Sequence, residues 1–103
     1  MSIKIGRYSF EGLFATTDAI IDRSGVYAVL SITENNAFLL DVGESANVQT
    51  RLNTHDRRIC WEKNKKKGQI FYAIHYTYRL HKAGRLRVEQ EIRRNHNPCC
   101  GCR

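Results

Sequence analysis

Gly25-Val26-Tyr27-Ala28-Val29-Leu30-Ser31-Ile32, Thr33-Glu34-Asn35-Asn36 and Ala37-Phe38-Leu39-Leu40-Asp41-Val42-Gly43-Glu44-Ser45 form the stretch that decides the fold. Val26, Tyr27, Val29, Leu30 and Ile32 make a β-rich run, Glu34-Asn35-Asn36 is turn chemistry, and Phe38, Leu39, Leu40 and Val42 resume the run. Two such runs across a short polar turn predict an antiparallel hairpin. Gly43 reads as the end of the second strand. Ser45 or Asn47 reads as a helix cap, and Val48, Leu52, His55 and Ile59 recur at helical spacing, so a helix is predicted from about Ala46 to Arg57.

Working toward the C-terminus, Cys60 to Gly68 reads as a helix end followed by a basic loop, and Gln69 to Tyr78 as a third strand. His81-Lys82-Ala83-Gly84 is a turn, and Arg85 to about Asn95 a helix ended by Pro98. Toward the N-terminus, residues 1–24 suggest one short strand and a helical or irregular lead-in that packs on the sheet. The order β-β-α-β-α predicts an α+β fold, a small antiparallel or mixed sheet flanked by helices. It divides into an N-terminal extension (1–24), a core domain (25–98) and a Cys-rich tail (99–103).

A chain of 103 residues, 42% hydrophobic and 26% charged with one proline, has the composition of one small globular domain and not of a disordered or low-complexity segment. No apolar run approaches the roughly 18 residues of a membrane span, and Met1 to Arg7 lacks the apolar stretch of an export signal, so a cytoplasmic protein away from the membrane is expected. Cys99, Cys100 and Cys102 crowd the last five positions with Cys60 far upstream, and free thiols or a metal clip are expected before a disulfide.

Charge is placed unevenly. Residues 1–50 carry three basic against six acidic side chains, and residues 51–103 carry fourteen against four. Such a polycationic half either keeps the surface soluble or meets phosphate, where each neutralised group releases counterions. Arg57, Arg58, Lys63, Lys65, Lys66 and Lys67 follow the first helix, and Arg85, Arg87, Arg93 and Arg94 line the last. Trp61 lies among them as either a stacking residue or a core anchor.

On a helical wheel of about 100° per residue, Leu86, Val88 and Ile92 mark the apolar side of the last helix and Glu89 falls inward. An inward carboxylate needs an arginine partner or a metal. In the first helix Arg51 and His55 are i, i+4 neighbours at the edge of the buried face.

Together these residues resemble the GIY-YIG nuclease superfamily, over Gly25 to Pro98. Gly25-Val26-Tyr27 is similar to its first motif and Asp41-Val42-Gly43-Glu44-Ser45 to its second, Arg51 and His55 follow at similar spacing, and Glu89 looks like the glutamate of its last helix. The departures are Asp41 in place of the second motif's tyrosine, and Cys99-Cys100-Gly101-Cys102 where many relatives carry an asparagine. The motifs point to a small stand-alone branch without sequence-specific recognition.

The resemblance implies a divalent-metal-dependent endonuclease acting on nucleic acid, DNA being the first expectation. Glu89 would hold Mg²⁺ or Mn²⁺, Arg51 would clamp the phosphate, Tyr27 would be general base once its pKa fell from about 10, and His55 would relay the proton or position Tyr27. Asp41 would accept a proton or add a second metal ligand; equally, it would repel phosphate and mark a catalytically degenerate binding or interaction module. A dimer would serve to cut both strands. Zinc at Cys99 and Cys102, with His96 and Cys60, is the lesser reading of the tail.

Overall fold

The computed structural model describes residues 2–101. Eight elements follow in order: β1 (Ser2–Ile5), β2 (Tyr8–Phe14), β3 (Gly25–Ile32), β4 (Ala37–Ser45), α1 (Val48–Asn53), α2 (Arg58–Asn64), β5 (Gln69–Tyr76) and α3 (Lys82–His96). All five strands join one sheet in the order β1-β2-β5-β3-β4, every neighbouring pair antiparallel. The fold is α+β. No helix among the described residues is long and apolar enough to cross a membrane.

The predicted hairpin is β3–β4, closed where Thr33 N–H bonds Asn36 C=O at 2.8 Å. β4 does not stop at Gly43 but pairs on to Ser45 opposite Gly25. Residues 2–14, expected to contribute one strand, contribute two, and β2 pairs with β5.

Period-two alternation along β3 divides the core. Tyr27 and Val29 face Val48, Leu52 and Trp61 of α1 and α2, whereas Val26, Ala28 and Leu30 face Val88 and Ile92 of α3. The sheet is thus a wall with two short helices on one face and a long one on the other. β4 is one of its two edge strands, β1 being the other, and the β3–β4 register shifts between Val29↔Asp41 and Leu30↔Leu39. This bulge leaves Leu40 over as the extra residue, so Leu40 and Asp41 both belong to the α1–α2 face.

The helix predicted over Ala46 to Arg57 stops at Asn53, and a second helix, α2, begins only at Arg58. Thr54 Oγ1 donates to Thr50 C=O at 3.0 Å, and the Arg57 N–H, which would continue the ladder, donates to His55 Nδ1 at 3.0 Å. Side chains here compete with the helix for its own backbone groups. Helical phase is lost across the break: Ile59, expected on the buried face, is 76% exposed, and Trp61 of α2 is buried instead. In α3 the inward side centres on Val88 and Ile92 with Arg85 and Arg93 beside them, and Leu86 lies at its margin.

Candidate functional site

Tyr27 opens the site. It stands on β3 opposite Gly43 of β4, and a Cβ at Gly43 would overlap the phenol's Oη and Cζ. Glycine in the second motif therefore has a steric reason: the buried ring fills the space a side chain would need. Gly25 is constrained too, since a Cβ there would lie 2.8 Å from His75 C=O.

The Tyr27 hydroxyl and His55 Nε2 are 2.5 Å apart. His55 Nδ1 accepts the Arg57 N–H, and burial, with Arg51 and Arg57 close by, lowers its pKa from 6.5 to about 4. The imidazole is thus neutral with its proton on Nε2, which donates to Tyr27 Oη. Asp56 Oδ1, 3.3 Å from Nδ1, is exposed and does not reverse this. Burial, reinforced by Asp41, pushes the Tyr27 phenol up to about 12, against the opposing pull of Arg57 and Arg51. The pKa therefore moves away from that of a base, contrary to the drop the sequence reading required.

Asp41 is fully buried, and its place differs most from expectation. Oδ1 accepts from Val42 N–H at 2.8 Å, Arg93 Nη2 at 2.7 Å and Arg57 Nη2 at 3.3 Å; Oδ2 accepts from Arg57 Nε at 2.7 Å and Trp61 Nε1 at 2.8 Å. Five donors fill a carboxylate's roughly four lone-pair directions. Nothing remains for a second metal, and Asp41 acts as an anchor tying α2 and α3 to the β4 edge.

Arg93 and Arg57, expected on a phosphate-facing surface, are drawn into this anchor. Arg93 is buried and also donates to Glu89, Val42 C=O and Cys100 C=O. Arg58, Lys63, Lys66, Lys67 and Arg94 are exposed and Lys65 partly so. Trp61 is the core anchor, not a stacking residue. Lys65 and Lys66 line a groove of about 660 Å³ with Phe38, His96, Asn97 and Cys99. It lies toward the β3–β4 turn, away from Tyr27.

Glu89 sits at the rim, paired with Arg93 at 3.1 Å through Oε2. Burial raises its pKa against the pull of Arg93, with Glu44 adding to the rise. Glu44 itself pairs with Arg85 at 2.8 Å, and Arg57 lies near enough to act on both Tyr27 and Glu89. Tyr27, His55, Arg51 and Arg57 therefore gather on the α1–α2 side of β4, and Glu89 lies on the α3 side, linked to them through Arg93 and the buried Asp41. Glu44 and Arg85 complete the site, and their pairing had no signal in sequence spacing.

Among the described residues no three His, Cys, Asp or Glu gather as a metal cluster. Glu89 Oε1 takes no hydrogen bond there, so the donor set is one carboxylate with a free oxygen. That suits Mg²⁺ or Mn²⁺ keeping most of its waters, which needs only one or two carboxylates. In the tail, Cys60, the expected fourth zinc ligand, is joined to Cys100 in a disulfide, and Cys99 is a free exposed thiol. For Cys60 and Cys100 the disulfide replaces the free-thiol expectation: Cys100 N–H bonds Leu40 C=O at 2.8 Å, which lays the tail along β4 within reach of α2. Cys102 lies outside the described residues.

Compared with protein-family models, curated proteins and solved structures, the chain matches none of them.

Proposed function

We propose that this chain is a divalent-metal-dependent endonuclease of the GIY-YIG type, hydrolysing phosphodiester bonds of nucleic acid. The observation that supports it best is the Tyr27–His55 hydrogen bond at 2.5 Å, with Arg51 acting on both rings. A phenol, an imidazole of fixed tautomer and a half-exposed guanidinium 28 residues apart or less are more than packing requires.

Arg51 clamps the phosphate. Among the described residues its ion pair is with the exposed Asp56 at 3.1 Å, a contact of little worth that a phosphodiester readily replaces, and it lies close enough to Tyr27 to pull the phenol's pKa down. Tyr27 enters as a phenol whose Oη, already accepting from His55, orients the attacking water through its remaining proton and lone pair. His55 positions Tyr27. Glu89 would hold the divalent ion, which would supply positive charge near the phosphate and the leaving oxygen. Arg57 keeps Asp41 in place and adds positive potential next to Tyr27. The exposed basic side chains supply sequence-independent affinity.

One pair of observations favours the second reading, a catalytically degenerate binding module: Tyr27 is only 1% exposed and its pKa is raised. One assay separates the two. The protein is incubated with supercoiled plasmid, single-stranded DNA and structured RNA, with Mg²⁺, Mn²⁺ or EDTA, beside Arg51→Ala and Glu89→Ala. The nuclease reading expects cleavage by wild type with metal, reduced roughly 10²–10³-fold in each variant. Undiminished cleavage by both variants sinks it; salt-sensitive binding without cleavage supports the module.

A further inference from the structure

Three of the five exposed large apolar side chains among the described residues, Ile21, Tyr78 and Leu80, belong to two segments that lie against each other. Thr77 N–H bonds Ser24 C=O at 3.0 Å, and Ser24 Oγ donates to Thr77 C=O at 3.0 Å, fastening residues 77–80 beside residues 21–24. Clustered exposure of this kind marks an interaction surface, where scattered exposure would not.

Tyr78 is its centre. At 62% exposure its ring is nonetheless held, stacked on Tyr76 with centroids 6.0 Å apart at 24°, with the Arg23 guanidinium 5.2 Å from its centroid. Tyr76 is itself fixed, since its hydroxyl accepts the Ile21 N–H at 3.1 Å and its ring packs on the Tyr27 cluster. An exposed aromatic ordinarily gives up rotamer freedom on binding; this one is already oriented.

The charge around it is positive. Arg23, Arg79 and Lys82 are exposed on or beside the two segments and outnumber the acids nearby, Asp22, held by Thr50 N–H and Oγ1, and Glu11, which lies near enough to act on Tyr76. Aromatic faces set among cations are what single strands use, because every base has a face to stack and every nucleotide a phosphate. A duplex keeps its bases stacked on each other and offers this surface only phosphates.

Position ties the surface to the candidate site. Tyr76 pairs with Gly25, two residues before Tyr27 on the same face of β3, and residue 24 is roughly 10 Å from Tyr27 along the strand. We propose that Tyr78, oriented by Tyr76 and Arg23, is a stacking platform for an unpaired base of a nucleic acid whose backbone continues toward Tyr27 and Arg51. This rests on the nuclease reading and narrows its substrate to strands with an unpaired nucleotide beside the scissile bond.

The test is binding in EDTA of a single-stranded oligodeoxynucleotide carrying 2-aminopurine, and of its blunt duplex, read by anisotropy and base fluorescence. Wild type is expected to quench the 2-aminopurine of the single strand. Tyr78→Ala should weaken single-strand binding roughly five- to hundredfold and abolish quenching, with duplex affinity unchanged, and Tyr78→Trp should restore both. Equal loss on both substrates, or no loss on either, overturns the platform. Binding to neither substrate also overturns it and leaves the patch to a protein partner. Failure of the nuclease reading looks different: quenching persists and depends on Tyr78, but no metal produces cleavage. The urea midpoint of Tyr78→Ala should stay close to wild type, because the ring is mostly exposed and its removal gives up only the stack on Tyr76 and the Arg23 contact.

Discussion

Arg93 of α3 reaches around the β4 edge of the sheet to place Nη2 2.7 Å from Oδ1 of Asp41, a residue on the opposite face. The same side chain holds Glu89 through Nε at 3.1 Å and Cys100 C=O through Nη1 at 2.9 Å. One guanidinium thus joins the last helix, the edge strand and the tail. It also covers the Val42 carbonyl of β4, which an unprotected edge would offer to another chain.

Removing Asp41 strands two guanidiniums and an indole N–H. Asp41→Ala is expected to cost about 3–5 kcal/mol, the penalty of breaking a buried pair from one side. Asp41→Tyr, which would recreate the tyrosine of the resembled motif, should be no better, since a phenol can neither balance the charges nor fit a site packed to zero exposure. Urea unfolding checks both. If Asp41→Tyr is as stable as wild type, the anchoring role is wrong.

His55 gives stability a pH dependence. Its folded pKa of about 4 lies below the ordinary 6.5, so between those values the unfolded chain binds more protons. Stability is complete above about pH 6.5 and falls as pH drops toward 4, by up to about 1.4 kcal/mol per unit. Glu89, whose pKa is raised, contributes the opposite slope where it titrates. Chemical unfolding at pH 7 and pH 5 should therefore show a loss in wild type that His55→Gln reduces. An unchanged slope in that variant would assign the effect elsewhere.

The hairpin and β5 were legible because their signals are local: apolar β-rich runs, a polar turn and period-two burial. The break between α1 and α2 was not, because it depends on His55 being pulled to Tyr27 and its Nδ1 capturing the Arg57 N–H, a tertiary event. His55 was rightly placed on the buried side, though for a helical phase the chain does not keep. β1 and β2 hide in mixed alternation that only their pairing with each other, and of β2 with β5, resolves. Glu89 showed its inward position in spacing alone, and one of the two partners foreseen for it, an arginine, is present in Arg93. Asp41 had a usable signal: a carboxylate inside Leu39-Leu40-Asp41-Val42 must be met by cations, but sequence does not say that they come from 16 and 52 residues away.

Gly43→Ala should disturb the site through Tyr27 alone. The added methyl overlaps a buried ring on a central strand that cannot swing aside, and overpacking of this kind costs about 1–3 kcal/mol. In a Tyr27→Ala background the same substitution should cost little, because the space is then empty. A double-mutant cycle by urea unfolding measures the coupling, and additive costs would mean that the ring does not explain the glycine.

The Cys60–Cys100 bond closes a loop of 40 residues that contains β5 and α3. By chain entropy such a loop is worth about 4 kcal/mol to the oxidised protein, all of it from the unfolded side. Treatment with dithiothreitol should therefore lower the urea midpoint of wild type and leave that of Cys60→Ser/Cys100→Ser unchanged. Reduction also frees the segment whose carbonyl receives Arg93, so hydrogen exchange should rise first at Cys100 N–H and along the outer edge of β4. A midpoint indifferent to reductant in wild type would show that the thiols are not joined in solution. The expectation of free cysteines would then stand.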